Sequence, residues 1–237
     1  MKVLFILLRL GIAVIMIDAL VTTFLASWRR WRDAEYGDPV TLTVNFVSYF
    51  TIESNIVAIV VLLTGAGVLI GGLRSFGFLE PAWYGALRGA AVTYMTLTGI
   101  IYNLVLRGVV TAGVEVSWTN EVLHLIGPIY LIIDWFFAPG RHRMEWRQLW
   151  LILIFPVAWG AYTLIRGPFV YDQLWGRQRW YPYPFLDPIE LHGRLAVALS
   201  ILAIVVLLAL IAAGAIWVSR RHEGWPLPQL RHLRHLR

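Results

Sequence analysis

The stretch that fixes the fold class is Leu195-Ala-Val-Ala-Leu-Ser-Ile-Leu-Ala-Ile-Val-Val-Leu-Leu-Ala-Leu-Ile-Ala-Ala-Gly-Ala-Ile-Trp-Val218, in which no side chain is charged. A helix needs about 20 apolar residues to cross the hydrocarbon core of a bilayer, so this stretch predicts a membrane-spanning helix. Composition extends the prediction to the whole chain, because 59% of the residues are hydrophobic and only 14% are charged. Such a balance excludes an ordinary soluble domain. We expect an all-α, polytopic integral membrane protein.

Six apolar segments of this kind follow one another along the chain, separated by loops with turn and charge signals. The predicted transmembrane helices are 3–27, 48–73, 83–106, 120–138, 147–166 and 195–218. The first is too long for the apolar region of a signal peptide, so we interpret it as a retained helix. No polar stretch is long enough for a separate domain, and 219–237 forms a basic tail. We therefore expect residues 1–237 to form one bundle of six transmembrane helices.

Charge and cysteine content limit the possible partners and chemistry. The chain has no cysteine, which excludes disulfides and thiol catalysis. Its net charge of +6 lies mostly in loops and the tail, which indicates contact with anionic lipid rather than nucleic acid.

Lys and Arg number ten on the side that holds both termini and eight on the other side. Because positive loops favour the cytoplasm, we predict that both termini are cytoplasmic.

Polar side chains are concentrated where two of the predicted helices begin, in Tyr49-Phe-Thr-Ile-Glu-Ser-Asn55 and Asn120-Glu-Val-Leu-His-Leu-Ile-Gly-Pro128. The second and fourth helices begin on the same side of the membrane because an even number of crossings separates them. At 1.5 Å rise per residue, Thr51 and His124 both lie on the order of 5 Å below the boundary. Buried polar groups in a membrane are costly and usually functional. We therefore predict one polar pocket in one leaflet.

Other polar residues accompany Thr51 and His124 on the same helix faces, given about 100° of rotation per residue. One stripe on the second helix comprises Ser48, Thr51, Ser54 and Asn55. One stripe on the fourth helix comprises Asn120, Glu121 and His124. The third helix brings Asn103 to the same leaflet. Small polar residues in membrane helices often only join neighbouring helices, so a structural role for these groups stays an alternative.

Charged residues within the helices need partners or water. Glu53 points away from the pocket, and two interpretations are open: pairing within the bundle, with Arg107 as the candidate, or hydration near the interface. The other buried charges are expected to form structural ion pairs. These would join Asp18 and Asp134 to Arg9 or Arg88.

Three short motifs share their order and spacing with a known family of membrane proteins. They are Phe50-Thr-Ile-Glu53, Asn120 four residues before His124 with a proline shortly after, and Tyr183-Pro-Phe-Leu-Asp187 in the last loop. In these motifs the chain resembles the family of the animal androgen-induced and androgen-dependent TFPI-regulating membrane proteins. The likeness covers most of the chain, including the number of helices. We interpret the chain as a bacterial member of this family and expect it in the inner membrane.

The resemblance implies a multipass threonine hydrolase that cleaves ester bonds in lipids, with Thr51 as nucleophile and His124 as base. The animal members act on esters of fatty acids with hydroxy fatty acids. A neutral hydroxyl is a poor nucleophile, and an imidazole can remove its proton and later protonate the leaving alcohol. A membrane lipid is the expected substrate, and neither a cofactor nor a metal is expected. Open candidates for oxyanion donors are Asn55, Asn103 and Asn120. Open candidates for orienting His124 are Glu121, Asp187 and His192.

One segment, Asp172-Gln-Leu-Trp-Gly-Arg-Gln-Arg-Trp-Tyr-Pro-Tyr183, departs from the animal proteins and is either an interfacial cap or a substrate lid.

A second class of function is also open, in which the same pocket serves a non-enzymatic binding protein or transporter for a lipid or small solute. A haem or quinone site using His124 and His192 is disfavoured because His192 lies in a loop. No His and carboxylate set has the spacing of a metal site. The sequence makes no prediction of oligomeric state.

Overall fold

The computed structural model describes residues 1–109 and 116–221, and within these ranges it is an all-helical protein without β-strands. The predicted all-α membrane fold is confirmed. The helices are α1 (Lys2–Asp33), α2 (Pro39–Val47), α3 (Phe50–Gly71), α4 (Ala82–Ile101), α5 (Ser117–Glu121), α6 (Gly127–Phe137), α7 (Gln148–Arg166) and α8 (Arg194–Arg221).

Among the described residues, five helices are long and apolar enough to cross a membrane: α1, α3, α7, α8, and α4 with the turn that continues it. That turn, Tyr102–Leu106, is π-helical. The sixth predicted helix appears as α5, a π-helical turn at Val122–Ile126, and α6 in unbroken succession. The chain is therefore a multipass membrane protein, and the structure agrees with the six-helix prediction. The basic tail beyond 221 lies outside the described residues.

The helix boundaries near the predicted pocket differ from the prediction. The short helix α2 was not predicted; it begins with Pro39 after Asp38, whose carboxylate accepts a hydrogen bond from Thr41 N at 3.0 Å. Ser48 lies at the C-cap of α2, and its hydroxyl donates to Val44 O at 2.6 Å. The second membrane helix begins only after the extended residue Tyr49. The predicted stripe is therefore wrong for Ser48, because a helix end separates it from α3.

The core lies where α3 and α4 pack against each other and against α1, α6 and α8. Small residues permit this close approach. An added Cβ at Gly65 of α3 would lie 2.6 Å from Arg9 Nη1 and would overlap the side chain of Tyr84. By contrast, few residues of α7 are buried, so this helix lies at the edge of the bundle.

Four fully buried charges form an ionic quartet in the half of the bundle near the N-terminus: Arg9, Glu80, Arg88 and Asp134. Asp134 accepts hydrogen bonds from Nε of Arg9 and of Arg88, each at 2.8 Å. The predicted pairing of Asp134 is thus confirmed, whereas Glu80, from the loop before α4, was missed. The pairing of Asp18 is wrong, because Asp18 comes nine residues after Arg9, on the opposite, exposed face of α1.

Candidate functional site

A cavity of about 650 Å³ lies beneath the loop that joins α7 to α8, where α3 begins and α4 ends. We call it the polar cavity. The side chains that line it include Thr51, Tyr102, Asn120, His124, Tyr183 and Asp187. The structure therefore brings Thr51 and His124 to one cavity, as their matched depths predict.

Thr51 lies in the first turn of α3 and is held by a tyrosine from the loop between α7 and α8. Its Oγ1 lies 3.2 Å from Tyr183 Oη. Its backbone N–H, one of the donors left without a partner at a helix N-terminus, also donates to Tyr183 Oη at 3.2 Å. The Thr51 hydroxyl is thus bonded to Tyr183 rather than to His124.

His124 lies in the π-helical turn between α5 and α6, and its tautomer follows from its contacts. Its Nδ1 lies 3.0 Å from Asn120 O. Because a backbone carbonyl only accepts hydrogen bonds, Nδ1 carries a proton, and in the neutral imidazole Nε2 then keeps the basic lone pair. The ring stacks on Tyr102, with centroids 3.8 Å apart and planes at 24°. Both contacts fix the imidazole in the wall of the polar cavity.

The three amides predicted as oxyanion donors have other partners. Asn55 donates to Thr51 O at 2.8 Å and to a carbonyl of the π-helical turn at 3.3 Å. Asn103 donates to a carbonyl of α4 at 2.8 Å and to His124 O at 3.0 Å. Asn120 donates to Tyr102 Oη. Because both N–H groups of each of the Asn55 and Asn103 amides donate to backbone carbonyls, these two side chains hold the π-helical turn that carries His124 against α3 and α4.

The carboxylate of Glu121 does not orient His124. It forms an ion pair with Arg107 at 2.6 Å, and both side chains are substantially exposed. Arg107 extends from the end of the π-helical turn after α4 and also donates to Asn103 Oδ1 at 2.7 Å. Of the two alternatives for Glu53, pairing with Arg107 is therefore wrong, because Arg107 pairs with Glu121 at the end of α5.

The two candidates from the last loop separate in the structure. Asp187 is buried, lines the polar cavity and accepts from Arg179 Nε at 2.8 Å and from Ile189 N at 2.9 Å. His192 is exposed and does not line the cavity. Its backbone has a φ of 56°, in a turn that precedes α8. The structure therefore places Asp187, but not His192, at the site.

The segment from Asp172 to Tyr183 covers the polar cavity. Backbone hydrogen bonds in both directions between Asp172 and Arg177, at 2.8 and 3.2 Å, close a turn at its outer end. Trp180 is buried, and its ring lies edge-on to Tyr49 with centroids 5.8 Å apart. Burial raises the pKa of Asp172, whose carboxylate lies 3.6 Å from Arg177 Nε. This segment therefore forms the roof of the site.

Sequence reasoning missed two site residues, Tyr102 and Tyr183. Tyr183 opens the motif that ends at Asp187, which was the available signal, yet an aromatic residue in a loop is usually an interfacial anchor. Burial raises the pKa of the Tyr183 phenol, while its bonds to Thr51 oppose that shift. The phenol therefore keeps its proton at neutral pH and can donate a hydrogen bond within the site.

Among the described residues, no group of three or more His, Cys, Asp or Glu side chains could hold a metal ion. No protein-family model, no curated protein and no solved structure matches this chain.

Proposed function

We propose that this protein hydrolyses lipid esters within the membrane, with Thr51 as nucleophile and His124 as general base. One observation carries the proposal: Thr51 and His124 line the same cavity, and the bond of His124 Nδ1 to Asn120 O leaves Nε2 as the basic nitrogen of the neutral imidazole. A nucleophile and a base in one water-accessible pocket are the minimal parts for acyl transfer. The resemblance described above supplies the roles of the two residues.

The proposed reaction has two steps, acylation of Thr51 and hydrolysis of the acyl-threonine. Thr51 Oγ1 attacks the ester carbonyl carbon while His124 Nε2 accepts the hydroxyl proton. The bond from that carbon to the alcohol oxygen then breaks, and the imidazolium returns the proton to the leaving alcohol. Water repeats the sequence on the acyl-threonine, which releases a carboxylic acid and restores the Thr51 hydroxyl.

Tyr183 is the best-placed donor for the oxyanion of the tetrahedral intermediate. Its protonated Oη already lies 3.2 Å from the attacking atom, Thr51 Oγ1. A donor aimed at the developing negative charge stabilises the transition state more than the ground state. For attack, Thr51 Oγ1 must exchange this bond for one with His124 Nε2, and such bonds often form only once substrate is bound.

The predicted topology assigns the proposed reaction to one leaflet of the membrane. If both termini are in the cytoplasm of a bacterial inner membrane, as the ten Lys and Arg on that side favour, α3 begins at the outer face. The polar cavity then opens at the outer leaflet, and lipid from that leaflet is the proposed substrate.

A non-enzymatic binding protein or transporter for a lipid or small solute is the second candidate. It is favoured by the hydrogen bond of Thr51 Oγ1 to Tyr183, because this bond occupies the proposed nucleophile in the absence of substrate. In that case the polar cavity only holds its ligand.

A fluorophosphonate probe and a panel of lipid esters separate the two candidates. We expect purified wild-type protein in detergent to label and to turn over an ester, and Thr51→Ala and His124→Gln to lose labelling. Matched controls are Thr43→Ala, at a half-buried threonine of α2 whose hydroxyl donates to Pro39 O, and His192→Gln, which are expected to label normally. Equal labelling of Thr51→Ala and wild type would eliminate the hydrolase. Lipid binding without turnover by wild type would favour the binding protein.

A further inference from the structure

A second cavity, of about 330 Å³, lies between α4, α7 and α8. We call it the apolar cavity. Its walls are almost entirely hydrocarbon, and the side chains that form them include Leu97, Ile101, Val157, Ile204 and Leu208. It is thus a space suited to a hydrocarbon chain rather than to a charged group.

The polar and apolar cavities meet at the proposed nucleophile. Thr51, Tyr102, Leu106 and Tyr183 line both of them. His124 lines only the polar cavity. Thr51 therefore lies between a cavity that His124 lines and one that it does not line.

The apolar cavity extends well into the membrane along α7. Its lining residues on that helix run from Leu164 back to Pro156, which spans about 12 Å at the helical rise. Gly160 lies within this stretch, and an added Cβ there would meet nothing within 4 Å. Val157 is 53% exposed, so the cavity reaches the lipid-facing side of the bundle at α7.

We propose that the apolar cavity holds the acyl chain of the ester, that the polar cavity holds its alcohol part, and that α7 forms a wall along which the acyl chain lies. The proposal rests on the proposed hydrolase function. Proton transfer decides which part of the ester enters which cavity. The leaving alcohol must receive its proton from His124, and of the two cavities His124 lines only the polar one. The acyl chain must then lie on the other side of Thr51.

The same division defines the class of substrate. Asp172, Arg177, Asp187 and Glu190 are among the residues that line the polar cavity, so this cavity can bind polar groups of the alcohol part, whereas the apolar cavity suits a plain hydrocarbon chain. A chain can enter sideways from the bilayer, past Val157, without leaving hydrocarbon. The ester carbonyl then reaches Thr51 at the level where the polar cavity begins.

Gly160→Leu tests the role of α7, because its side chain would fill part of the apolar cavity. The matched control is Gly214→Leu on α8, where an added Cβ also meets nothing within 4 Å but which does not line the cavity. Each protein is assayed with esters of one alcohol and acyl chains from acetyl to palmitoyl. We expect Gly160→Leu to lower the ratio of long-chain to short-chain turnover about tenfold, and the control to keep the wild-type ratio. An unchanged ratio in folded Gly160→Leu would overturn the proposal.

A second measurement does not depend on turnover or on the folding of Gly160→Leu. Thr51→Ala protein in detergent is irradiated with a palmitoyl ester that carries a diazirine on its acyl chain, and the labelled peptides are sequenced. We expect labels in 156–164 of α7 and 201–208 of α8. Labels on Asn120 or Trp175, which line the polar cavity, would overturn the proposed direction. Labels in α7 and α8 without turnover by wild type would instead reject the hydrolase and leave the acyl site intact.

Discussion

Replacement of Asp134 by Asn tests whether the ionic quartet stabilises the bundle. The Asp134 side chain is 1% exposed and accepts from Arg9 Nε at 2.8 Å, Arg9 Nη2 at 3.1 Å and Arg88 Nε at 2.8 Å. With Glu80 the quartet is neutral, since two guanidinium groups face two carboxylates. Asn keeps the shape of Asp134 but leaves a net buried charge of one.

The expected loss of stability follows from that uncompensated charge. Removal of one partner from a buried ion pair costs about 3–5 kcal/mol, because the remaining charge stays desolvated. Little of this comes from packing, since Asn and Asp have nearly equal volumes. The double variant Asp134→Asn with Arg88→Gln restores neutrality, so we expect it to be more stable than the sum of the two single changes predicts.

Unfolding by SDS in mixed micelles, followed by circular dichroism, measures these differences. The control is Glu145→Gln, which removes an exposed ion pair with Arg147 and is expected to leave the midpoint unchanged. If the free energy of unfolding of Asp134→Asn lies within about 1 kcal/mol of the wild-type value, the quartet does not stabilise the bundle as a buried ion pair would.

Three further changes test the packing and the site. Gly65→Ala is expected to cost about 1–3 kcal/mol in the same titration, since its Cβ would overlap Tyr84, whereas Gly67→Ala meets open space and should not destabilise; equal effects would refute this difference. Tyr183→Phe is expected to lower kcat for ester turnover about 100-fold through loss of the oxyanion donor, and near-normal turnover would remove that role. Glu121→Gln is expected to keep wild-type turnover because Glu121 pairs with Arg107, and a loss as large as that of His124→Gln would restore Glu121 as the group that orients the base.

Much of the site's location was predictable because it depends on counting rather than on contacts. The number of crossings between helices fixes which ends share a leaflet, and helical rise fixes depth. These two quantities put Thr51 and His124 at one level before any packing was known. They do not predict where a helix ends or which side chains form ion pairs, which is why the expected stripe with Ser48 was wrong and why Arg107 pairs with Glu121 rather than with Glu53.

The sequence by itself determined that this is an all-α, multipass membrane protein, because helix length and hydrophobicity must match the thickness of the bilayer. It also determined that polar groups begin two of the helices in one leaflet. Only the tertiary structure decided their partners: Thr51 with Tyr183, 132 residues away, and Asn103 with the carbonyl of His124. It also decided that the two cavities meet at Thr51. The reason is that hydrogen bonds and cavities depend on how distant helices and loops pack, and local patterns of residues do not encode that packing.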